Sequence, residues 1–535
     1  MKNKYFLLTI ILLLCTFPLF HCSRKKEKEY NFILITLDTQ RADFISAYSR
    51  THASTPNIDF LAAKGILYEN CYSLIPITLP SHASIFFSQP PHLVKNYNNG
   101  QNITKQRKMP SFVNVFKGTG FTTAAFISLG VLKAKFGLDD GFDLYQDDFP
   151  EGRWYLTAEE INLNVFPWLE KNKDNKFFLW IHYSDPHDPY APPYSPPDLK
   201  IFLNNKPIGE FTLNKYIKHE IILNLQKGKN LLRFDVENEF KKGKKGYQAR
   251  FDIFDFAPHP DQENLEIQLP RGWFIQREKS TFFCRKTADV EIKDKSAPSK
   301  ISLTFRGRLV LPIEGTRELY KREVEYMDRE IGKLLEKLKE LRLSKKTHIL
   351  MVGDHGEGLG EYRGYFSRRH IGHIHFLYEV YMKVPLIIYS PTAIKRGIRR
   401  EEPVTLLDIA PTIMEIMGFK KLLSFQGRNI LSLNNEEITI FEETYQPEAY
   451  TDKFAFLKFP WHLILTPKER KYELYDLSED PDERKNIYQD IHLPPEVLNL
   501  KKNLDSLAIS ILKGKKDIKI DDRTKEMLKA LGYIK

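Results

Sequence analysis

Residues 30–38 read YNFILITLD, an unbroken run of apolar and β-branched side chains closed by an acid. Strict alternation is absent. Both faces of such a strand are buried, as in a parallel sheet covered on each side. Working outward, residues 121–128 (FTTAAFIS), 176–185 (KFFLWIHYSD), 347–357 (THILMVGDHGE) and 384–391 (VPLIIYSP) repeat the pattern. Helical stretches lie between them. Residues 55–65, TPNIDFLAAKG, put Thr55 at the cap, Pro56 in the first turn and Gly65 at the stop. Residues 322–343 are amphipathic at helical spacing. The expectation is an α/β fold with a mostly parallel central sheet flanked by helices. In such sheets ligands collect at the carboxyl ends of the strands. Asp38, Asp185 and Asp354 all stand there.

From about residue 199 to 312 the rhythm changes to period-two alternation with turn punctuation, as in IFLNNKPIGEFTLN and ISLTFRGRLV. That predicts an inserted antiparallel β-sandwich. Residues 201–250 hold 11 Lys/Arg against 5 Asp/Glu, so the insert is basic, with a lysine cluster KKGKKG at 241–246. Past residue 436, EITIFEETYQPE and YELYDLSEDPDERKN predict a small antiparallel sheet with a helical tail. The chain divides on this reading into 1–29, 30–198, 199–312, 313–435 and 436–535.

The first segment has the form of a leader. MKNK is basic, residues 5–20 are an apolar run of about 16, short for a membrane span of roughly 20, and a charged stretch follows. Cys22 occupies the position at which a bacterial lipoprotein is cleaved and lipidated, although His21 replaces the usual small residue. The expectation is an envelope lipoprotein outside the cytoplasm, membrane-anchored at Cys22, with an uncleaved anchor as the alternative. Net charge is +11. It suits an anionic membrane or substrate, while no basic run with interleaved aromatics marks a nucleic-acid module. Of four cysteines, Cys15 and Cys22 fall in the leader, and Cys71 and Cys284 are too isolated for a cysteine metal site.

Residues 77–84, ITLPSHAS, pose the functional question. Thr78 precedes an apolar helical stretch, with Pro80 fixing the first turn, and reads equally as an N-cap or a nucleophile. Asp38 and the Asp354–His355 pair supply partners. Two carboxylates, an imidazole and a hydroxyl can hold a divalent cation between them. Such an ion lowers the hydroxyl's pKa and clamps an anionic ester. Arg41 and Asp43 read as a structural ion pair, and Glu357 and Glu361 as braces of a loop.

The ordered motifs NFILITLDTQRAD, TPNIDFLAAKG, ITLPSHASIFFS, FFLWIHYSDPHDPYAPP, GDHGEGLGEY, LLDIAPTIMEIMG and YELYDLSEDPDE resemble the sulfatase family of the alkaline phosphatase superfamily. The resemblance covers roughly 30–195 and 315–535. It implies metal ligation by Asp38, Thr78, Asp354 and His355, a nucleophile at Thr78, and contact of His187 with the leaving or transferred group. His373, with His370 as the alternative, takes a similar part. Lys95 aligns loosely with a basic residue of the family. Three departures stand out. The family's formylglycine position, a Cys or Ser in Cys-x-Pro-x-Arg, is Thr78 here, so no formylglycine is expected. His82 replaces the arginine, and Thr39 replaces a second aspartate.

A formylglycine hydrate expels sulfate as its aldehyde re-forms. A threonine sulfate lacks that route, whereas a threonine phosphate can be hydrolysed by water or passed to an alcohol. The expectation is therefore a metal-dependent hydrolase of phosphate or sulfate esters, the phosphoester favoured. Zinc or manganese is favoured over calcium because of the imidazole. The alternatives are a phosphoethanolamine-type transferase acting on envelope glycans or lipids, and a non-catalytic glycan-binding lipoprotein.

Overall fold

The computed structural model describes residues 30–531 except 50–51, 104–109, 152, 189, 191–198, 212–218, 237–249, 259–264, 272–273, 277–280, 285–286, 295–298, 311–312, 364–368, 392–396, 434–436, 446–450 and 516–519. The leader and the 241–246 lysine cluster lie outside the described residues. Among those described, no helix is long and apolar enough to cross a membrane.

Asn31–Leu37 is buried along its whole length. It pairs in parallel with Thr347–Gly353 on one side and Phe177–Tyr183 on the other. Thr122–Phe126 and Leu144–Gln146 extend the sheet in parallel past Phe177–Tyr183. On the far side come Lys383–Tyr389, Ile66–Tyr72 and the short edge strands Ile398–Arg400 and Val404–Thr405. Of the nine strands only Lys383–Tyr389 runs against the rest. The chain reaches it through a hairpin (Gly358–Arg363 with Arg369–Gly372) and the short helix Glu379–Met382, with no crossover helix. It therefore starts from the sheet end at which Thr347–Gly353 finished, and must run back.

Alternate side chains of the central strand feed two cores. Phe32 and Leu34 pack with Ile85, Phe86, Phe112 and Ile413 on one face. Ile33, Ile35 and Leu37 pack with Ile58, Ile161, Val165 and Met327 on the other. Helices therefore cover both faces, as the apolar strands required. The helix Pro56–Lys64 has Thr55 and Gly65 at its ends, but the Thr55 hydroxyl does not cap it. It donates to Asp59 at 3.2 Å and accepts Ser46 N–H at 2.9 Å. The amphipathic helix begins at Ile313, ahead of its expected start, because Tyr320 is buried on Phe44 and Leu359.

Residues 199–310 form two five-stranded antiparallel sheets. Ile201, Phe234 and Val290 of one pack on Leu223, Leu303 and Phe305 of the other, which makes a sandwich. Its first hairpin turns on Asn204 and Asn205, both at positive φ (49° and 66°), the conformation a two-residue hairpin loop requires. Ile440–Thr444, Lys453–Lys458, Trp461–Thr466 and Lys471–Asp476 form the C-terminal antiparallel sheet. The helix Pro495–Gly514 buries Val497, Leu500, Leu504 and Ile511 within the core that this sheet shares.

Candidate active site

Parallel strands deliver the polar residues to one end of the sheet. Asp38 follows Asn31–Leu37, and Asp354 and His355 follow Thr347–Gly353. Thr78 opens the helix Thr78–Phe87 after Ile66–Tyr72, and His187 lies just past Phe177–Tyr183. Single ligand atoms from Asp38, Asp354 and His355 lie within 4.8 Å of one another. All three residues are wholly buried.

Asp354 and His355 are oriented from behind. Asp354 Oδ1 accepts N–H groups from His355 (2.7 Å) and Thr39 (3.1 Å), while its Oδ2 has no hydrogen-bond partner. Neither carboxylate oxygen of Asp38 has a hydrogen-bond partner of good geometry, though His182 Nε2 stands 3.3 Å from Oδ2. His355 Nδ1 donates to Gly356 O at 3.0 Å, which leaves Nε2 as the lone-pair atom toward the cluster. Gly356 has to be glycine, since any Cβ there would run into Val380 O. Burial works to raise both acids. At Asp38 it is outweighed by His182, His187 and His355, which hold the carboxyl below its ordinary range. At Asp354 burial and repulsion from Asp38 together push it well above. Orphaned buried carboxylate oxygens beside a lone-pair nitrogen are the donor set of a divalent cation, and the residues fit one.

Thr78 is the first residue of its helix and not its cap. Ile77 holds the cap position without a side-chain bond. The Thr78 hydroxyl lies 3.4 Å from His355 Nε2. The helix start offers an anion less than its length suggests. Pro80 has no N–H, and the Leu79 N–H donates to Asn99 Oδ1 at 2.8 Å. That bond places the Asn99 amide beside Thr78, buried, with an Nδ2 that finds no acceptor among the described residues.

His373 and His370 separate in the structure. The His373 ring centroid is 4.6 Å from His355 and 5.2 Å from His187, so these three imidazoles form one group. His370 Nδ1 is instead 3.0 Å from Tyr381 OH, with Phe376 and His375 around the ring. Glu357 Oε2 lies 3.3 Å from His373 Nδ1. Burial and His187 lower His373 to about 3, and burial with His373 lowers His355 likewise, so both rings are neutral at neutral pH.

The residues that depart from the family pattern take structural roles. His82 is buried and donates from Nδ1 to Thr78 O at 2.8 Å. Its Nε2 must then accept from Thr36 Oγ1 at 3.1 Å, while Trp180 Nε1 donates to that same hydroxyl. Burial, with His182 next, lowers His82 to about 3, so it brings no positive charge where arginine would. Thr39 sits at φ 54°, uncommon for a β-branched residue. Its hydroxyl turns back to Asp38 O at 2.7 Å, so it offers the cluster a backbone N–H and no ligand. Lys95 is exposed behind the helix Pro91–Val94, which gives no support to the loose alignment. Asp185 accepts Ala158 N–H at the start of Ala158–Asn172 and serves that helix. Arg41 grips Asp43 with two nitrogens and reaches Glu361 at 2.7 Å and Glu357 O at 3.2 Å, so it ties the metal-site loop down. Asn99 and the Glu357–His373 contact escaped sequence reasoning. Asn99 lies in the aperiodic run NYNNGQN, where only its register to Thr78 could have marked it.

Comparison with known proteins identifies the family. The sulfatase family model matches residues 30–419, and a model described as N-sulphoglucosamine sulphohydrolase, C-terminal, matches 360–510. An N-acetylglucosamine-6-O-sulfatase of Bacteroides thetaiotaomicron is 24% identical over 90% of this chain and 87% of its own. An arylsulfatase of Clostridium perfringens is 23% identical over 85% and 90% respectively. Among solved structures, a phosphonate monoester hydrolase of Agrobacterium radiobacter superposes with a TM-score of 0.58 at 15% identity, covering 91% of this chain and 96% of its own. The chain belongs to the sulfatase family and is a hydrolase of sulfuric or phosphoric esters.

Proposed function

We propose that the protein hydrolyses an anionic phosphoester or phosphonate ester through a covalent Thr78 intermediate. One observation carries the reading: the Thr78 hydroxyl stands 3.4 Å from His355 Nε2, at the edge of a buried cluster that fits a cation. When bound, a divalent ion supplies Lewis acidity that favours the Thr78 alkoxide and offsets the charge of the ester. Asp38, Asp354, His355 and Thr78 would hold it, and the imidazole favours zinc or manganese over calcium.

His373 or His187 accepts the Thr78 proton as Oγ1 forms a bond to phosphorus, and passes that proton to the leaving oxygen as its bond to phosphorus breaks. Asn99 Nδ2 is placed to donate to a non-bridging oxygen. Water then attacks phosphorus and gives a proton to the same histidine, which returns it to Thr78 Oγ1 as the bond between Oγ1 and phosphorus breaks. Glu357 keeps the His373 ring in place from behind. Family relatives named for sulfated sugars make a sugar ester the natural substrate frame, and the leader reading puts it in the cell envelope.

The test is a paired assay of purified wild type and Thr78→Ala after zinc, manganese or calcium loading. Aryl phosphodiester, aryl phosphonate monoester and aryl sulfate are offered to both. Metal-dependent cleavage of a phosphorus substrate, lost in Thr78→Ala, supports the reading. Cleavage of aryl sulfate alone overturns the preference for phosphorus.

A further inference from the structure

Asn31 starts the central strand at the sheet end opposite the site, and Asp38 follows that strand's last residue. About 23 Å of extended chain separates the two ends. Basic turns flank Asn31 on both sides. Its N–H donates to Lys346 O at 2.7 Å, and its side-chain oxygen accepts Phe177 N–H at 3.1 Å. Residues 342–346 (RLSKK) and 171–176 (KNKDNK) are thus its immediate neighbours. Lys171, Lys173, Arg342, Lys345 and Lys346 are exposed there, against Glu170, Asp174 and Glu340 as exposed acids. Lys337 already answers Glu340 at 3.4 Å and Glu170 at 2.6 Å.

The same end carries a third basic segment. Thr122 N–H donates to Lys176 O at 3.0 Å, and Phe121 packs on Phe419 with ring centroids 6.0 Å apart. That contact brings residues 420–423, KKLL, to this end, with Lys420 exposed and Leu423 wholly so.

We propose that this basic end of the sheet is a docking face for an anionic phospholipid surface, so that the active site points away from the bilayer. Charge complementarity favours such a surface, and lysines beside an exposed leucine suit a headgroup layer. Chain length agrees. The proposal rests on the reading of Cys22 as a lipidation site: from Cys22 to Asn31 the chain can reach at most about 30 Å, so a lipid there would hold this end, not the opposite one, against the membrane. The site then stands above the headgroups and receives soluble or glycan-borne esters sooner than lipids of the anchoring leaflet. This is independent of which ester is cut.

The test is amine acetylation of the full chain, read lysine by lysine by mass spectrometry. The chain is placed in detergent, in phosphatidylcholine nanodiscs, and in nanodiscs containing phosphatidylglycerol. In anionic discs Lys171, Lys173, Lys345, Lys346 and Lys420 lose at least about threefold of their labelling, and about 1 M salt restores it. Lys468 and Lys485, exposed elsewhere, keep theirs. A K171E/K173E/K345E/K346E variant loses the protection at Lys420 while its hydrolysis of a soluble substrate is unchanged. Unaltered labelling, or equal loss at all lysines, overturns the proposal. Protection already present in detergent assigns the face to a second copy, and equal protection by a soluble polyanionic glycan assigns it to that glycan. Either outcome overturns the proposal too.

Discussion

Thr78 and Asn99 show how one hydrogen bond divides labour at the start of a helix. The Asn99 carbonyl oxygen takes the Leu79 N–H, which orients the amide and leaves its nitrogen for a ligand. Replacing Thr78 by Ala is expected to lower kcat on the order of 10³-fold or more at saturating metal, while Thr78→Ser keeps a hydroxyl and retains measurable turnover. Asn99→Ala is expected to lower kcat about 10²-fold with little change in KM; a rise in KM alone would assign the amide to ground-state binding. His373→Ala is expected to slow esters with poor leaving groups about 10²-fold and to spare those whose leaving oxygen needs no proton. A leaving-group series checks that split, and equal loss across the series removes His373 from the proton path. At this scale the sequence was informative where chemistry coincided with a strand end, as at Asp38, Asp354 and His355. It was silent where a role depends on what a buried atom faces. His82 is an example: only its bonds to Thr78 O and Thr36 show that it is a neutral prop.

At the scale of elements, the metal-site loop is positioned by its neighbours more than by its own residues. Gly356 and Glu357 donate to Tyr381 and Val380 carbonyls, and Arg41 ties Glu357 O to Glu361. The C-terminal sheet is tied to the core by a second buried network. His462 lies between Glu483 (2.5 Å) and Glu442 (3.1 Å), and Glu483 also accepts Glu379 N–H. Burial opposes the imidazolium, but the two carboxylates outweigh it and raise His462 to about 10. Burial raises Glu442 to about 7 and Glu483 upward. All three bind protons more tightly folded than unfolded. The His462 contribution is fully present below about pH 6.5 and is lost as pH rises through about 10. The Glu442 contribution fades earlier, between its unfolded value and about pH 7. Thermal stability is thus expected to fall from neutral to alkaline pH. His462→Gln should cost about 3 kcal/mol near neutrality and flatten that slope. Melting curves from pH 6 to 10 check this; an unchanged slope would remove the network from the account. Apolar runs disclosed the strands around Asn31–Leu37. Ile66–Tyr72 escaped because ILYENCY interrupts its apolar pattern with Glu69 and Asn70. The reversed direction of Lys383–Tyr389 has no mark in its composition, since it follows from where the preceding hairpin leaves the chain.

Across the whole molecule, the sheet separates two ends of different chemistry. Its carboxyl end gathers carboxylates and imidazoles, and its amino end gathers lysines around Asn31. The α/β core, the sandwich of residues 199–310 and the C-terminal sheet were each legible from a change in hydrophobic period. What the period could not give was the position of one end relative to the other, because that arises from parallel pairing across segments hundreds of residues apart. Removing the metal by chelation is expected to abolish turnover and lower thermal stability, since two buried carboxylates then face each other without a cation. Re-addition of zinc or manganese should restore both.

The central claim is that Thr78 becomes covalently modified. The most direct measurement is rapid acid quench of the metal-loaded protein during turnover of an aryl phosphonate monoester, followed by peptide mass spectrometry. The account predicts a phosphonyl adduct on the peptide bearing Thr78, formed at the rate of the first phenol release and absent in Thr78→Ala. Full turnover with Thr78 unmodified, or undiminished turnover by Thr78→Ala, would contradict it.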